Sequence, residues 1–387
     1  MLKSFKVMLV PNKRQRTRLF QFAGTARFAY NWTLRKEIDA YDAGENFISN
    51  NDLRKEFTIL RNSVEYQWLK TISNNVPKQA IKDCVDAYTN FFKGLSGRPR
   101  FKSKHRGDFS FYQDTDKIRI TATHVKLEAI ATSKKRNKQK LNWFRLAEHG
   151  RIPIGVKYQQ PRITFDGLNW WLSVAVEFEA EKSELSGEVV GIDLGIKSLA
   201  SCSDGTTYPN INKTKTIKRL KKKQRRLQRS ISRKYEMNNK KGESYKKTRN
   251  IIKSEKKLLG IHHRLANIRQ NYRHQITSGL IGRKPSLIVL EDLNVKGMMK
   301  NRHLAKAVQE QGFYEFRRQI EYKAQWSGIT VIIADRYYPS SKKCIACGHV
   351  KKNLRLSERI YHCENCGNEI DRDLQAAINL ANYVPVR

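Results

Sequence analysis

The sequence predicts an α+β chain of more than one domain. A β-barrel module with helices inserted after its first strand is followed by an α/β layer domain carrying a cysteine-ligated metal site. Three observations lead there. Period-two patterning opens the chain and returns after residue 97, with helical spacing in between. In the second half, three apolar runs, VVGIDLG (189–195), SLIVLED (286–292) and ITVIIAD (329–335), alternate with helical seams. Finally, Cys344, Cys347, Cys363 and Cys366 stand in the spacing C-x2-C-x15-C-x2-C.

Residues 3–10, KSFKVMLV, place Phe5, Val7 and Leu9 on one face of a strand. Residues 14–36 switch to helical spacing with Leu19, Phe22, Ala26, Tyr30 and Leu34, and helical signals continue to about Leu95. Pro77 suits the first turn of one of these helices. ITFDGLNWWLSVAVEFE (163–179) reads as a hairpin turning near Asp166 and Gly167. The short polar segment 181–187 is the expected domain boundary. Beyond it, SLASCSDG pairs with VVGIDLG, and Ile217, Leu220, Leu227 and Ile231 form a seam. A matching seam of Ile251, Leu258, Leu265, Tyr272 and Ile276 predicts two antiparallel helices over 213–282, joined near Gly242. One helix is expected to carry Leu304, Val308, Phe316 and Ile320, and a terminal helix to dock through Leu374, Ala377, Ile378 and Ala381.

The 387 residues carry a formal net charge of +40, which opposes compaction and therefore points to a polyanionic partner. No signal peptide, transmembrane run or lipidation motif suggests a membrane surface as that partner. Basic residues interleave with aromatics at Phe91-Phe92-Lys93 and Arg98-Pro99-Arg100-Phe101-Lys102, a mixture that suits phosphates and stacked bases. Twelve Lys and Arg fall between 213 and 234, and no acidic residue occurs from Thr207 to Tyr235. A solvated surface would tolerate this run; tracking a nucleic-acid backbone explains it. Six cysteines, four of them clustered, fit an intracellular metal site better than a disulfide scaffold.

The four clustered thiolates complete a tetrahedral zinc site with no open position, so one structural Zn²⁺ is expected. Gly348 and Gly367 supply the left-handed turns after each pair. A second metal set is made of carboxylates. Asp193 sits inside an apolar strand, where an unpaired anion costs several kcal/mol. Glu291 ends another such run, and Asp371 and Asp373 open the terminal helix. Acids converging at one sheet end can hold two Mg²⁺, one activating water and one stabilising a leaving 3′ oxygen. Taken singly, Glu291 could be a strand-end acid and either aspartate a helix cap. A ribosome-type basic protein would leave Asp193 unexplained. GIDLG (191–195) also resembles the phosphate loop of actin-like ATPases, but no second glycine-rich phosphate hairpin follows.

GIDLGIKSLAS (191–201), LIVLEDLNV (287–295), YYPSSKKCIACG (337–348), YHCENCGNEIDRD (361–373) and LQAAINL (374–380) resemble the TnpB family of transposon-encoded RNA-guided nucleases, related to type V CRISPR effectors. RFAYNWTL (27–34), PKQAIKDCVDAYTNFFKG (77–94) and SGRPRFKSK (96–104) extend the resemblance over essentially the whole chain. It implies a wedge β-barrel from 1–10 and 97–180, an inserted helical recognition lobe over 11–96, and an RNase H-like (RuvC) α/β nuclease domain from 181–335 and 369–387. A zinc ribbon over 336–368 is inserted in the last. The implied activity is Mg²⁺-dependent, RNA-guided cleavage of double-stranded DNA beside a short flanking motif. Its partners are a transposon-derived guide RNA and the target duplex, and its location the prokaryotic cytoplasm at the nucleoid. Older naming as a transposase is expected too, although no recombinase machinery is evident. By the resemblance Asp193, Glu291 and Asp373 are the magnesium ligands, with Asp371 a helix cap or a supporting partner behind the ligands. Lys78, Gln79 and Lys82 would face the flanking duplex. Gln375 stands where the family usually has Asn, and its longer amide should still reach a neighbouring backbone group. The alternative function is an RNA-guided DNA-binding repressor that has lost cleavage; such a protein should lack part of the carboxylate set.

Overall fold

The computed structural model describes residues 1–105, 107, 109–128, 140–180, 184–239, 247–355 and 357–384. The chain forms two units, Met1–Phe178 and Glu179–Arg387. The predicted joint near Gly242 lies outside the described residues.

In the first unit, β1 (Leu2–Val10) buries Val7 and Leu9 and packs Phe5 against the same core, as its alternation requires. It pairs antiparallel with β7 (Trp170–Glu177) on one side and β5 (Trp143–Leu146) on the other. With β2 (Ser110–Tyr112), β3 (Arg119–Ile120), β4 (His124–Lys126) and β6 (Tyr158–Phe165), the sheet order is β2-β6-β7-β1-β5-β4-β3. That order is linear. Among the described residues no pairing joins β2 to β3, so the expected barrel is an open antiparallel sheet. The two edge strands are three and two residues long.

Between β1 and β2 the chain is helical: α1 (Lys13–Asp42), α2 (Asn50–Asn62) and α3 (Asn75–Phe92). Asn12 and Gln15 form a capping box at the start of α1. The Gln15 amide also donates to the Leu141 and Trp143 carbonyls, tying the helix start to β5. The predicted seam of Leu19, Phe22, Ala26, Tyr30 and Leu34 is buried. Glu37 is buried beside it. One carboxylate oxygen has no partner, the other accepts weakly from the Ile48 N–H at 3.4 Å, and burial pushes its pKa up to about 7.

The second unit is built on β8 (Val189–Leu194), β9 (Ser198–Cys202), β10 (Thr207–Pro209), β11 (Leu287–Glu291) and β12 (Thr330–Ala334), ordered β10-β9-β8-β11-β12. The first three make an antiparallel meander, whereas β8, β11 and β12 run parallel. Two long helices, α4 (Lys215–Asn239) and α5 (Arg249–Gly282), connect β10 to β11, and Ile217 and Leu220 pack on Ile261 and Leu265. Arg219, Lys222, Arg225, Arg226 and Arg229 on α4 are exposed and, among the described residues, lack acidic partners.

The short helix α6 (Val295–Lys300) follows β11. The helix expected around Leu304–Ile320 is two, α7 (Ala305–Gln311) and α8 (Phe313–Ser327). Gly312 separates them with φ +69°, a left-handed conformation that ends one helix before the next begins.

One sheet face, with Ile192, Ile288 and Leu290, packs on Ile276 and Leu280 of α5 and on Phe316 and Ile320 of α8. The opposite face receives the last helix, α9 (Arg372–Ala381). Its buried side is Gln375, Ala376, Ala377, Asn379 and Leu380, rotated from the predicted Leu374, Ala377, Ile378 and Ala381. Two amides cause the rotation. Asn379 donates to the Ser340 and Lys343 carbonyls at 2.7 and 2.6 Å, and Gln375 reaches the Ser341 carbonyl at 3.2 Å.

α9 crosses β8 at Gly191 so closely that a Cβ there would sit 2.0 Å from the Ala377 carbonyl oxygen and 2.4 Å from the Ala381 nitrogen. Both obstacles are backbone, so neither can swing aside. Gly191→Ala should therefore cost about 1–3 kcal/mol through overpacking and lower the melting temperature. Gly279→Ala, within α5 where a Cβ meets nothing within 4 Å, should raise the free energy of unfolding by roughly 0.5–1 kcal/mol in equilibrium denaturation. Glu37 offers a pH test. The folded chain holds this proton up to about pH 7 while an ordinary glutamate releases it near 4.5, so stability falls as pH rises through that window. Glu37→Gln should raise the melting temperature by a few degrees at pH 8 and leave it nearly unchanged at pH 4.

Candidate active site

The register of the parallel strands brings the acids together. Gly191 pairs with Val289, and Ile192 with Leu290. Asp193 and Glu291 follow one step beyond that last pair. Side chains alternate along a strand, so Asp193 lies on the face of Gly191 and Glu291 on the face of Val289. Val289 packs with Leu380 of α9, and α9 presses on Gly191, so both carboxylates stand on the α9 side of the sheet. Asp373 lies in the first turn of α9.

The two aspartates of the DRD segment have different duties. Asp371 is the N-cap, its carboxylate accepting from the Asp373 and Leu374 N–H groups at 2.9 and 3.0 Å. Asp373 is left outside that cap. It is held by Arg372 at 3.1 Å, with Arg359 at 3.9 Å.

Asp193 and Glu291 are different again. Neither side chain has a hydrogen-bond or ion-pair partner among the described residues, although the chain holds 76 Lys and Arg. Burial pushes the Asp193 carboxyl up to about 8, with the Glu291 and Asp373 charges acting in the same direction and Arg372 opposing them. Burial also raises Glu291, helped by the neighbouring Asp292. No local pattern marks how Asp292 is held: Arg317 and Arg336, both remote in the chain, bind its two oxygens at 3.1 and 3.0 Å. The three candidate acids share one face, but no three carboxylate oxygens lie within 4.8 Å of one another among the described residues.

The cysteines do meet that distance: Cys344, Cys347, Cys363 and Cys366 have their sulfurs all within 4.8 Å. Cys344 and Cys366 are 3.7 Å apart and Cys347 and Cys363 3.6 Å apart. A disulfide would require about 2.05 Å. Thiolates around zinc at 2.3 Å form a tetrahedron with edges of about 3.8 Å, so the cluster fits zinc. The two knuckles share one design. Gly348 and Gly367 have φ +74° and +73°, and each donates its N–H to the carbonyl of the first cysteine, at 3.0 Å. The second knuckle is spanned by the hairpin of β13 (Ile360–His362) and β14 (Glu369–Asp371), which leads directly into α9.

Lys78 and Lys82 are exposed on one side of α3. Gln79 is part-buried and spends its amide on Asp83, which in turn holds Arg162 of β6 through two 2.7 Å bonds. Among the described residues no helix is long and apolar enough to cross a membrane.

Residues 172–302 match the OrfB_IS605 family, described as "Probable transposase". Residues 313–380 match the Cas12f1-like TNB domain. Residues 1–46 match a family described as a helix-turn-helix domain; in this structure they hold β1 and the unbroken α1. "Putative RNA-guided DNA endonuclease InsQ" of Escherichia coli K12 is 30% identical over 98% of this chain and 91% of that protein. A protein of Streptomyces pristinaespiralis, "Putative RNA-guided DNA endonuclease", is 29% identical over 98% and 88%. Among solved structures, that of the mini-RNA-guided endonuclease CRISPR-Cas_phi3 covers 99% of this chain and 92% of its own, with a TM-score of 0.50 at 10% identity, a likeness of fold. The chain belongs to the TnpB family, the OrfB proteins of IS605-type transposons.

Proposed function

We propose that this protein is an RNA-guided DNA endonuclease that hydrolyses both strands of a target duplex beside a short flanking motif. The observation that carries the reading is the pair of uncompensated carboxylates, Asp193 and Glu291, at one end of a parallel sheet in a chain of net charge +40. A protein that only bound nucleic acid would gain nothing from two acidic side chains buried there without hydrogen-bond or ion-pair partners. Retention of all three acids also argues against the repressor alternative.

In this reading the second unit is an RNase H-like core of RuvC type. Its meander followed by two parallel strands supports that assignment. Asp193, Glu291 and Asp373 hold Mg²⁺, and their hard oxygen donors on one sheet face suit that ion. Magnesium held by these carboxylates would supply activation of water and stabilisation of the departing 3′ oxygen, the chemistry of a hydrolysis that gives a 5′-phosphate and a 3′-hydroxyl. Asp371 keeps the start of α9 in place, so Asp373 is presented from a fixed turn. Arg372 and Arg359 neutralise Asp373 until cation or substrate arrives. The zinc knuckles hold the chain between β12 and α9 in a fixed shape. The first unit supplies the wedge sheet and helical recognition lobe, with Lys78 and Lys82 contacting the flanking duplex. Gln79 acts mainly through Asp83. The exposed basic face of α4 tracks a nucleic-acid backbone.

The deciding experiment purifies the protein with its flanking transposon DNA, sequences the RNA that copurifies, and follows Mg²⁺-dependent cleavage of a matching duplex. Asp193→Ala or Asp373→Ala should lower cleavage at least about 100-fold while retaining RNA-directed binding. Asp371→Ala should cost about 1 kcal/mol of stability and only weaken cutting. Undiminished cutting by Asp193→Ala would remove the assigned site, and wild-type binding without cutting would favour the repressor. For the cysteine cluster, titration with a thiol reagent should release one zinc per chain. Cys363→Ser should lose that zinc and lower the melting temperature.

A further inference from the structure

A cavity of about 730 Å³ opens on α1, enclosed by that helix and the segment from Tyr66 to Ile72. RFAYNWTL, a motif to which the nuclease reading gives no role, supplies much of its wall: Arg27, Phe28, Asn31 and Trp32. Phe28 forms an aromatic floor with its ring centroid 5.6 Å from Tyr66 and 5.4 Å from Trp68. Trp68 is 46% exposed, an unusual position for an indole with no surface to cover. Asn31 is already committed, its amide exchanging two hydrogen bonds with the Lys102 backbone.

Beneath the wall two polar atoms are unpaired, although the Arg27 guanidinium as a whole lies over the Phe109 ring, 5.5 Å from its centroid. The Thr25 hydroxyl, in a residue only 1% exposed, has no hydrogen-bond partner, and neither does Nη1 of Arg27. Each such buried polar atom costs about 1–3 kcal/mol when left unmade. A wall of part-exposed aromatic rings is matched by a flat aromatic group, which covers them by stacking. Arg35, also in the lining, is largely exposed; it sits 5.2 Å from the Phe101 ring centroid and 3.9 Å from Asp39, and can meet an attached phosphate.

We propose that this cavity receives one unpaired nucleobase of a bound strand, turned out from its neighbours, with the strand's phosphate at Arg35. The surrounding charge favours a polyanion over a peptide as the carrier. An unpaired base of RNA and one of single-stranded DNA offer the same chemistry. The proposal rests on nucleic-acid binding but not on cleavage, because every wall residue belongs to the first unit.

Gly24 provides the test. It lines the cavity, and a Cβ built on it meets no atom within 4 Å, so Gly24→Leu carries a branched side chain into the space from an unhindered Cβ. Full-length protein freed of nucleic acid is cross-linked to short single strands carrying a central photoreactive thiopyrimidine, as RNA in one arm and DNA in the other, and the linked peptides are mapped. Links are expected at Phe28–Trp32 or Tyr66–Thr71, and the arm that gives them names the strand. Gly24→Leu should keep its melting temperature and lose these links, while links to α4 persist. Trp68→Ala should weaken binding of a strand roughly 5- to 100-fold relative to its abasic counterpart. Asp193→Ala should link as the wild type does, which separates this outcome from failure of the nuclease reading. Links absent from both segments, or undiminished by Gly24→Leu, would overturn the proposal, as would capture of abasic strands equal to that of intact ones.

Discussion

The second unit depends on a helix lying directly against a strand. At Gly191 the backbone of α9 comes close enough that the one hydrogen of glycine is all the space allows. That contact sets the height of α9 over the sheet, and the height determines whether a residue in its first turn can reach the ends of β8 and β11. The glycine of GIDLG is thus explained by packing, without a phosphate. Its resemblance to a nucleotide-binding loop reflects a shared demand for a small residue.

Two kinds of anchor hold α9 in that position. Apolar contact alone, through Ala377 and Leu380, would allow sliding along the sheet. The amides of Gln375 and Asn379 remove that freedom because each must meet particular carbonyls in 340–343. The same stretch enters the first cysteine knuckle, and the second knuckle leaves through β14 into Asp371. The cysteine cluster and the carboxylates are therefore joined by a few residues of stiff chain at both ends. An amide in the helix core is costly unless paired, and here the pairing defines position.

Much of this was legible locally. The seam of α1, the inward face of β1, the three parallel strands and the cysteine spacing all follow from periods and intervals within a few residues. What escaped depended on remote partners or backbone geometry. Whether the first sheet closes depends on edge strands too short to show a period. Gly312 divides a seam that reads as continuous, because a left-handed residue leaves no mark on hydrophobic spacing. The buried face of α9 was misjudged because Gln375 and Asn379 count as polar in any pattern. Asp193 was conspicuous as a charge in an apolar run. Arg359 beside Asp373, and Arg317 and Arg336 beside Asp292, had no such signal.

The crossing at Gly191 also bears on the order in which the chain is made. β8 leaves the ribosome some 180 residues ahead of α9. Once β11 and β12 have followed, and until α9 is made, the flank of the sheet bearing Val289 and Ala334 has no cover. A copy interrupted before its last helix would retain most of the basic surface, yet show an apolar flank that proteases and chaperones recognise. In the proposed reading it would also lack the third acid, so unfinished copies could hold a strand but not sever it.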